Sequence, residues 1–217
     1  MKSFLFCSLI ILVFSSCGQS QSQPKNKAIN IPVGSTKKNA NEAVATFAEG
    51  CFWHTEIVFQ SLEGVRDAVS GYAGGTDTKP DYEKVSGENT GHAESVQVFY
   101  DPSKISFETL VKAFFASHDP TTLNRQGNDV GPQYRSIAFY NNQKEKKIIE
   151  KEIAELAASK AYSKKIVTEV KQLTKFYPAE EYHQEYIYHH PDNPYVRNVS
   201  IPDFLRFKKE FKGNFKS

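Results

Sequence analysis

The order in which hydrophobic periods alternate after residue 43 constrains the fold of this 217-residue chain more than any other feature. Residues 44–49 suit a short strand that stops at Gly50, and 52 to about 62 read as a helix. A second strand over 65–72 ends in the turn Gly74-Gly75, and a third over 92–100 is closed by Asp101-Pro102. Ser106 fits an N-cap, because Phe107, Leu110, Val111, Phe114 and Phe115 follow at the spacing of one helix face. Residues 134–140 predict a fourth strand and 142 to about 161 a helix with Ile149, Ile153, Leu156 and Ala157 along one stripe. Residues 166–173 predict a fifth strand, and a short helix is expected near 180–186. Strand, helix, strand, strand, helix, strand is a split βαβ arrangement. It predicts an α+β, ferredoxin-like two-layer sandwich with a mixed sheet and a loop-rich C-terminal part. The two long connections, 74–91 and 117–132, are where function is expected to reside.

The first 43 residues follow different rules. Lys2 precedes an apolar run from Phe4 to Phe14, and Ser15-Ser16 leads into Cys17. That is the layout of an export signal, and the run is shorter than the ~20 apolar residues a membrane span needs. A signal running directly into a cysteine is similar to a bacterial lipoprotein signal, which makes Cys17 the expected lipidation site. Phe14 and Ser16 are less usual than the leucine and the glycine or alanine of that pattern. Residues 18–43, rich in Gln, Ser, Asn and Lys, read as a flexible linker to a single domain over 44–217. The expected location is the bacterial cell envelope, with the membrane reached through the lipid. Of 27 basic and 25 acidic residues, five lysines and one glutamate precede residue 44. The body therefore carries 22 bases against 24 acids, which offers no electrostatic footprint for nucleic acid.

Removal of residues 1–16 and acylation of Cys17 would leave Cys51 as the only free thiol. With no CxxC in the chain, a dithiol pair and a thiolate zinc cage are excluded. His183, His189 and His190, with Glu180 and Glu181, match no usual zinc spacing, and no metal site is expected. Cys51 stands where the first strand meets the first helix, in Gly50-Cys51-Phe52-Trp53-His54-Thr55-Glu56. A helix N-terminus presents unpaired N–H groups and the positive end of the dipole, so a lowered thiol pKa is expected there. The plainer reading is an inert cysteine packed among aromatics. Glu94 is the second candidate. Strand alternation places it on one side with Val96, Val98 and Tyr100, and a carboxyl on an apolar face has a raised pKa, as a general acid requires. The alternative is a strand end frayed into solvent. His54, if protonated, would favour thiolate, and if exposed and neutral would do nothing.

A thiol beside a proton-donating carboxyl suits an electrophile that must lose oxygen. A tyrosine-phosphatase loop would need Arg where Ile57 stands, and no papain-like signature surrounds Cys51. Thiol peroxidases pair their cysteine with threonine and arginine, but Thr55 and Arg66 have no diagnostic spacing. Gly50-Cys51-Phe52-Trp53 with Glu56, then Gly71-Tyr72-Ala73-Gly74-Gly75, resembles peptide methionine sulfoxide reductase of the A type. The likeness continues in order through Tyr82-Glu83-Lys84-Val85, Gly91-His92-Ala93-Glu94, Tyr100-Asp101-Pro102 and His118-Asp119-Pro120-Thr121. It then runs through Asn124-Arg125-Gln126-Gly127-Asn128-Asp129, Gly131-Pro132-Gln133-Tyr134-Arg135-Ser136 and Ala179-Glu180-Glu181-Tyr182-His183-Gln184.

The resemblance implies that Cys51 attacks the sulfur of a methionine S-sulfoxide and that Glu94 protonates its oxygen, leaving a sulfenic acid. It implies that Phe52 and Trp53 form the pocket for the substrate methyl, and that Tyr82, Asp129 and Tyr134 orient the sulfoxide. It implies no metal or organic cofactor, oxidised proteins or peptides as substrate, and Tyr182-His183-Gln184 as structural packing. Many relatives resolve the sulfenic acid with cysteines near the C-terminus, but this chain has none after Cys51. Recycling by an external thiol is therefore expected, either a small molecule or a thioredoxin-like partner, acting on a monomer. A single-cysteine thiol peroxidase and a non-catalytic methionine-binding module are the alternatives.

Overall fold

The computed structural model describes residues 38–216. The expected export signal, its lipid-bearing Cys17 and the linker as far as residue 37 lie outside the described residues. The linker's expected end needs correction: Glu42 pairs with Arg66, and Ala43 already opens the first strand.

The chain is α+β, with a mixed six-stranded sheet. Its strands are β1 (Ala43–Glu49), β2 (Val65–Ala73), β3 (Ala93–Tyr100), β6 (Ser136–Tyr140), β7 (Glu169–Gln172) and β8 (Phe176–Pro178). A two-stranded ribbon of β4 (Arg125–Gln126) and β5 (Asp129–Val130) stands apart from it. The sheet order is β7-β6-β1-β3-β2-β8, antiparallel everywhere except the parallel β6–β7 edge. The helices are α1 (Phe52–Gln60), α2 (Tyr82–Ser86), α3 (Phe107–Ser117), α4 (Gln143–Ala158), α5 (Tyr186–His189) and α6 (Ile201–Glu210).

Period and capping account for the main elements. Ser106 accepts from Thr109 N–H at 3.0 Å, so α3 starts where its apolar stripe does. Asn142 caps α4 through Glu145 N–H, and Glu145 reaches back to Asn141 N–H at 2.7 Å. The principal core lies between the sheet and α1, α3 and α4. Phe47 of β1 stacks at its centre on Phe59 (5.0 Å), Phe114 (5.2 Å) and Phe107 (6.2 Å). A smaller cluster of Ala48, Ala73, Ala93, Ile137 and Phe139 covers the other face.

Several boundaries differ from the sequence reading. The fourth strand starts at Ser136, because Pro132–Tyr134 forms a 3₁₀ turn first. The expected fifth strand shortens to β7, and β8 adds an edge to β2. Both long connections contain structure: α2 in the first, and the ribbon in the second. The short helix near 180–186 is instead a 3₁₀ turn over Glu181–His183 followed by α5. α6 carries Phe204 and Phe207 into the core, although its stripe was read as loop.

Candidate active site

Cys51 is the N-cap residue of α1 and is half-buried. Gly50 makes this corner possible: its φ is +111°, and a Cβ there would lie 2.7 Å from Gln126 Cβ. The ribbon that carries Asp129 is thus packed directly on the turn that carries the thiol.

Glu94 comes from the start of β3, opposite Tyr72 of β2, and is 2% exposed. The frayed alternative is excluded. Its Oε2 accepts the Phe52 N–H, the first free donor of α1, at 3.0 Å. Burial raises its pKa to about 8; the Phe52 N–H opposes that shift, and nearby Asp129 adds to it. The carboxyl is therefore protonated at neutral pH, as the sequence reading expects.

Cys51 corrects an expectation. Its pKa lies above the usual thiol value, through burial first and then the carboxyls of Glu94 and Asp129. The Trp53 N–H and the Tyr195 hydroxyl pull the other way without prevailing. The helix terminus helps less than expected, because its first donor is committed to Glu94. The resting sulfur is therefore a thiol. His54 does not help either: its ring nitrogens are buried and burial lowers its pKa, so it is neutral but not exposed.

The structure brings the remaining expected residues to the same place. Phe52 and Trp53 lie 6.3 Å apart between ring centroids. Tyr82 starts α2, and it and Tyr134, at the end of the 3₁₀ turn, both lie near Glu94 and Cys51. Burial raises the pKa of both phenols, so both remain hydrogen-bond donors. Glu180 holds Tyr82 in position, accepting Tyr82 N–H at 2.9 Å and the Tyr72 hydroxyl at 2.8 Å.

Three aromatic contributions were not legible as site residues. His183 packs on Phe52 (5.0 Å) and Tyr82 (4.4 Å), and its Nδ1 accepts from Trp53 Nε1 at 3.2 Å. The segment expected only to pack is the wall that fixes the indole. Tyr186 stacks on Trp53 at 3.7 Å, nearly parallel. Tyr195 meets the same indole edge-on and donates its hydroxyl proton to Asp129. An Asn-Pro-Tyr turn at 193–195 is the one local signal, since Asn193 Oδ1 accepts Tyr195 N–H at 2.8 Å.

The peroxidase pairing does not assemble. Thr55 donates to the Cys51 carbonyl, while Arg66 is held by Glu42 and Asp67. Among the described residues, no group of three or more His, Cys, Asp or Glu is arranged to hold a metal ion.

Comparison with known proteins agrees with this geometry. Residues 43–215 match the family described as "Peptide methionine sulfoxide reductase". The chain is 49% identical over 180 residues to peptide methionine sulfoxide reductase MsrA 1 of Rhodopirellula baltica, covering 83% of this chain and 93% of that protein. The crystal structure of reduced Mxr1 from Saccharomyces cerevisiae is similar at a TM-score of 0.67 and 37% identity, over 72% of this chain and 90% of that one. Mxr1 solved in complex with Trx2 is similar at a TM-score of 0.50 and 29% identity, over 69% and 88% of the two chains. A thiol at a helix start, a neutral carboxyl against the same helix and an aromatic wall thus coincide with an extended match in sequence and fold. The chain belongs to the peptide methionine sulfoxide reductases of the A type, which reduce methionine S-sulfoxide at the expense of an external thiol.

Proposed function

We propose that Cys51 is the nucleophile, Glu94 the general acid, and Phe52, Trp53, Tyr82, Asp129 and Tyr134 the substrate-binding set. The observation that carries this assignment is Glu94 itself. A buried carboxyl with a pKa near 8 lies against the first N–H of the helix that bears the thiol. The sulfoxide methyl packs between Phe52 and Trp53, and its oxygen receives hydrogen bonds from Tyr82, Tyr134 and Glu94. Cys51 gives up its thiol proton and its sulfur attacks, forming an S–S bond, while Glu94 delivers a proton to the sulfoxide oxygen. The hydroxyl then passes to Cys51 as the S–S bond breaks toward methionine. Methionine sulfur gains two electrons, and Cys51 is left as a sulfenic acid.

Recycling falls to an external thiol, since no cysteine follows Cys51. The Trx2 complex of yeast Mxr1 supports a thioredoxin-like reductant. A cavity of ≈ 340 Å³ bounded by Cys51, His54, Gln126, Asp129 and Tyr195 supports access to the sulfur without disturbing the Phe52–Trp53 wall. The substrate is an oxidised protein or peptide, and the enzyme works as a monomer. The order β6-β1-β3-β2, with antiparallel neighbours, supports a ferredoxin-like unit at the centre of the sheet. Residues 1–17 act as an export signal ending at lipidated Cys17 and place the enzyme in the bacterial envelope. This rests on the Lys2, apolar run and Cys17 pattern, and radiolabelled palmitate incorporated by the wild type but not by Cys17→Ala would support it.

The test of the chemistry is a single turnover. Protein from residue 38 onward is mixed with a peptide carrying both methionine sulfoxide epimers, without reductant. We expect close to one methionine per chain, from the S epimer only, with one oxygen added to the Cys51 peptide by mass. No methionine, with Cys51 oxidised readily by peroxide instead, would move the assignment to a thiol peroxidase.

A further inference from the structure

We propose that Tyr195 is a further catalytic residue, which passes the Cys51 thiol proton to Asp129 as the sulfur attacks. The proposal rests on the reading of Cys51 as the nucleophile, and it answers a difficulty that the site itself raises. The resting sulfur is protonated, yet only a thiolate attacks well. Something must remove that proton without leaving new charge in a buried site.

Tyr195 is the group placed to do so. Its hydroxyl donates to Asp129 Oδ2, and Cys51, Asp129 and Tyr195 line the same cavity. A phenol has one proton and can still accept. With its proton directed to Asp129, the phenol oxygen is left free to accept, and the relay runs from S–H to phenol oxygen and from phenol O–H to carboxylate. The ring is fixed for this role by the edge contact with Trp53 and by the Asn193 turn.

The other groups facing the thiol are poorer bases. Glu94, from β3, is already protonated, and Tyr82 and Tyr134 are phenols with raised pKa values. His54 is neutral, but no hydrogen bond joins it to the sulfur. Asp129, from β5, remains, and its partner is Tyr195.

Charge balance favours the transfer. Before it, the site holds a thiol, an Asp129 carboxylate and a neutral Glu94. After it, the site holds a thiolate, a neutral Asp129 and a neutral Glu94, so the net charge is unchanged. Release of the proton to solvent would instead place two anions side by side, and nearby like charges oppose ionisation. Glu94 then protonates the sulfoxide oxygen, Cys51 becomes the sulfenic acid, and the proton on Asp129 returns to Glu94 through solvent before the next turnover. The acid and the base thus lie on separate elements and act on the two reacting groups.

The test is Tyr195→Phe, which keeps the ring against Trp53 and removes only the hydroxyl. At pH 7 we expect single-turnover methionine formation to fall by roughly 10- to 100-fold, with sulfoxide binding within about twofold of the wild type. The pH profile of Cys51 alkylation by iodoacetamide should move upward, a change that loss of packing alone would not produce. Asp129→Asn removes a nearby charge, so on electrostatics alone it makes the thiolate easier to form and the reaction no slower. The relay requires the opposite for turnover: the alkylation profile moves down while methionine formation slows. The double variant should be no slower than the slower single variant. A Tyr195→Phe rate within twofold of the wild type overturns the relay, as do losses that multiply in the double variant. If the Phe variant does not fold, Asp129→Asn is followed at saturating sulfoxide peptide, where weaker substrate binding no longer limits the rate, and an unchanged or faster turnover overturns the relay. Should the wild type itself form no methionine, the reading of Cys51 as a reductase nucleophile fails, and not merely this addition to it.

Discussion

Glu94 shows how a single side chain can be read correctly from a one-line pattern. Strand alternation alone places it on the apolar face, and burial then makes it an acid whose pKa is near 8. Its proton is present below that value, so turnover should fall as pH rises through about 8 when methionine formation is followed under single-turnover conditions. Glu94→Gln should lower the rate by roughly 10²- to 10⁴-fold and flatten that limb, and unchanged turnover would remove Glu94 as the acid. Cys51 is the converse case. The position at a helix start was legible, but its electrostatics were not. The N–H groups at the start of α1 are not all free for the thiol, because Glu94 takes the first. His183, Tyr186 and Tyr195 were missed for a related reason. Their roles arise from contacts with Trp53 across more than 120 residues of sequence, which no local period encodes.

At the scale of elements, β1, β2, β3, β6, α3 and α4 were legible because each buries a regular face, whereas α6 was read as loop although it carries one. The ribbon and α2 were not legible, because neither is long enough to show a period. Both are held by particular contacts: Gln126 against Gly50, and Glu180 between Tyr72 and Tyr82. These contacts allow sharp tests. Gly50→Ala would place a side chain at φ +111° and against Gln126, so we expect a loss of about 1–3 kcal/mol in thermal unfolding and a larger proportional loss of turnover. Glu180→Ala leaves a buried phenol and the start of α2 without their acceptor. It should cost about 1–3 kcal/mol and raise KM more than it lowers kcat, because Tyr82 loses its anchor while Cys51 and Glu94 stay in place.

Across the whole molecule, buried acids give stability a definite pH dependence. Glu56 has a pKa raised to about 8 by burial, opposed by the Glu185 N–H and the Ser70 hydroxyl, and Asp67 is raised to about 6, also by burial first. Like Glu94, each holds its proton in the folded state at pH values where the unfolded chain has released it. Stability should therefore fall as pH rises from about 4.5 toward 8. Glu56→Gln preserves the shape and removes one titration. At pH 8 it should raise stability by on the order of 1–3 kcal/mol, roughly 2–12 °C in Tm, with little gain at pH 5. Thermal melts at the two pH values check this.

Trp53 is the only tryptophan of the chain, and it is bonded to His183, stacked on Tyr186 and two residues from Cys51. Its fluorescence comes from the active site and from nowhere else, so the enzyme carries its own optical probe. Emission followed in a stopped-flow mixing experiment would report substrate entry and sulfenic acid formation as separate phases, without any label.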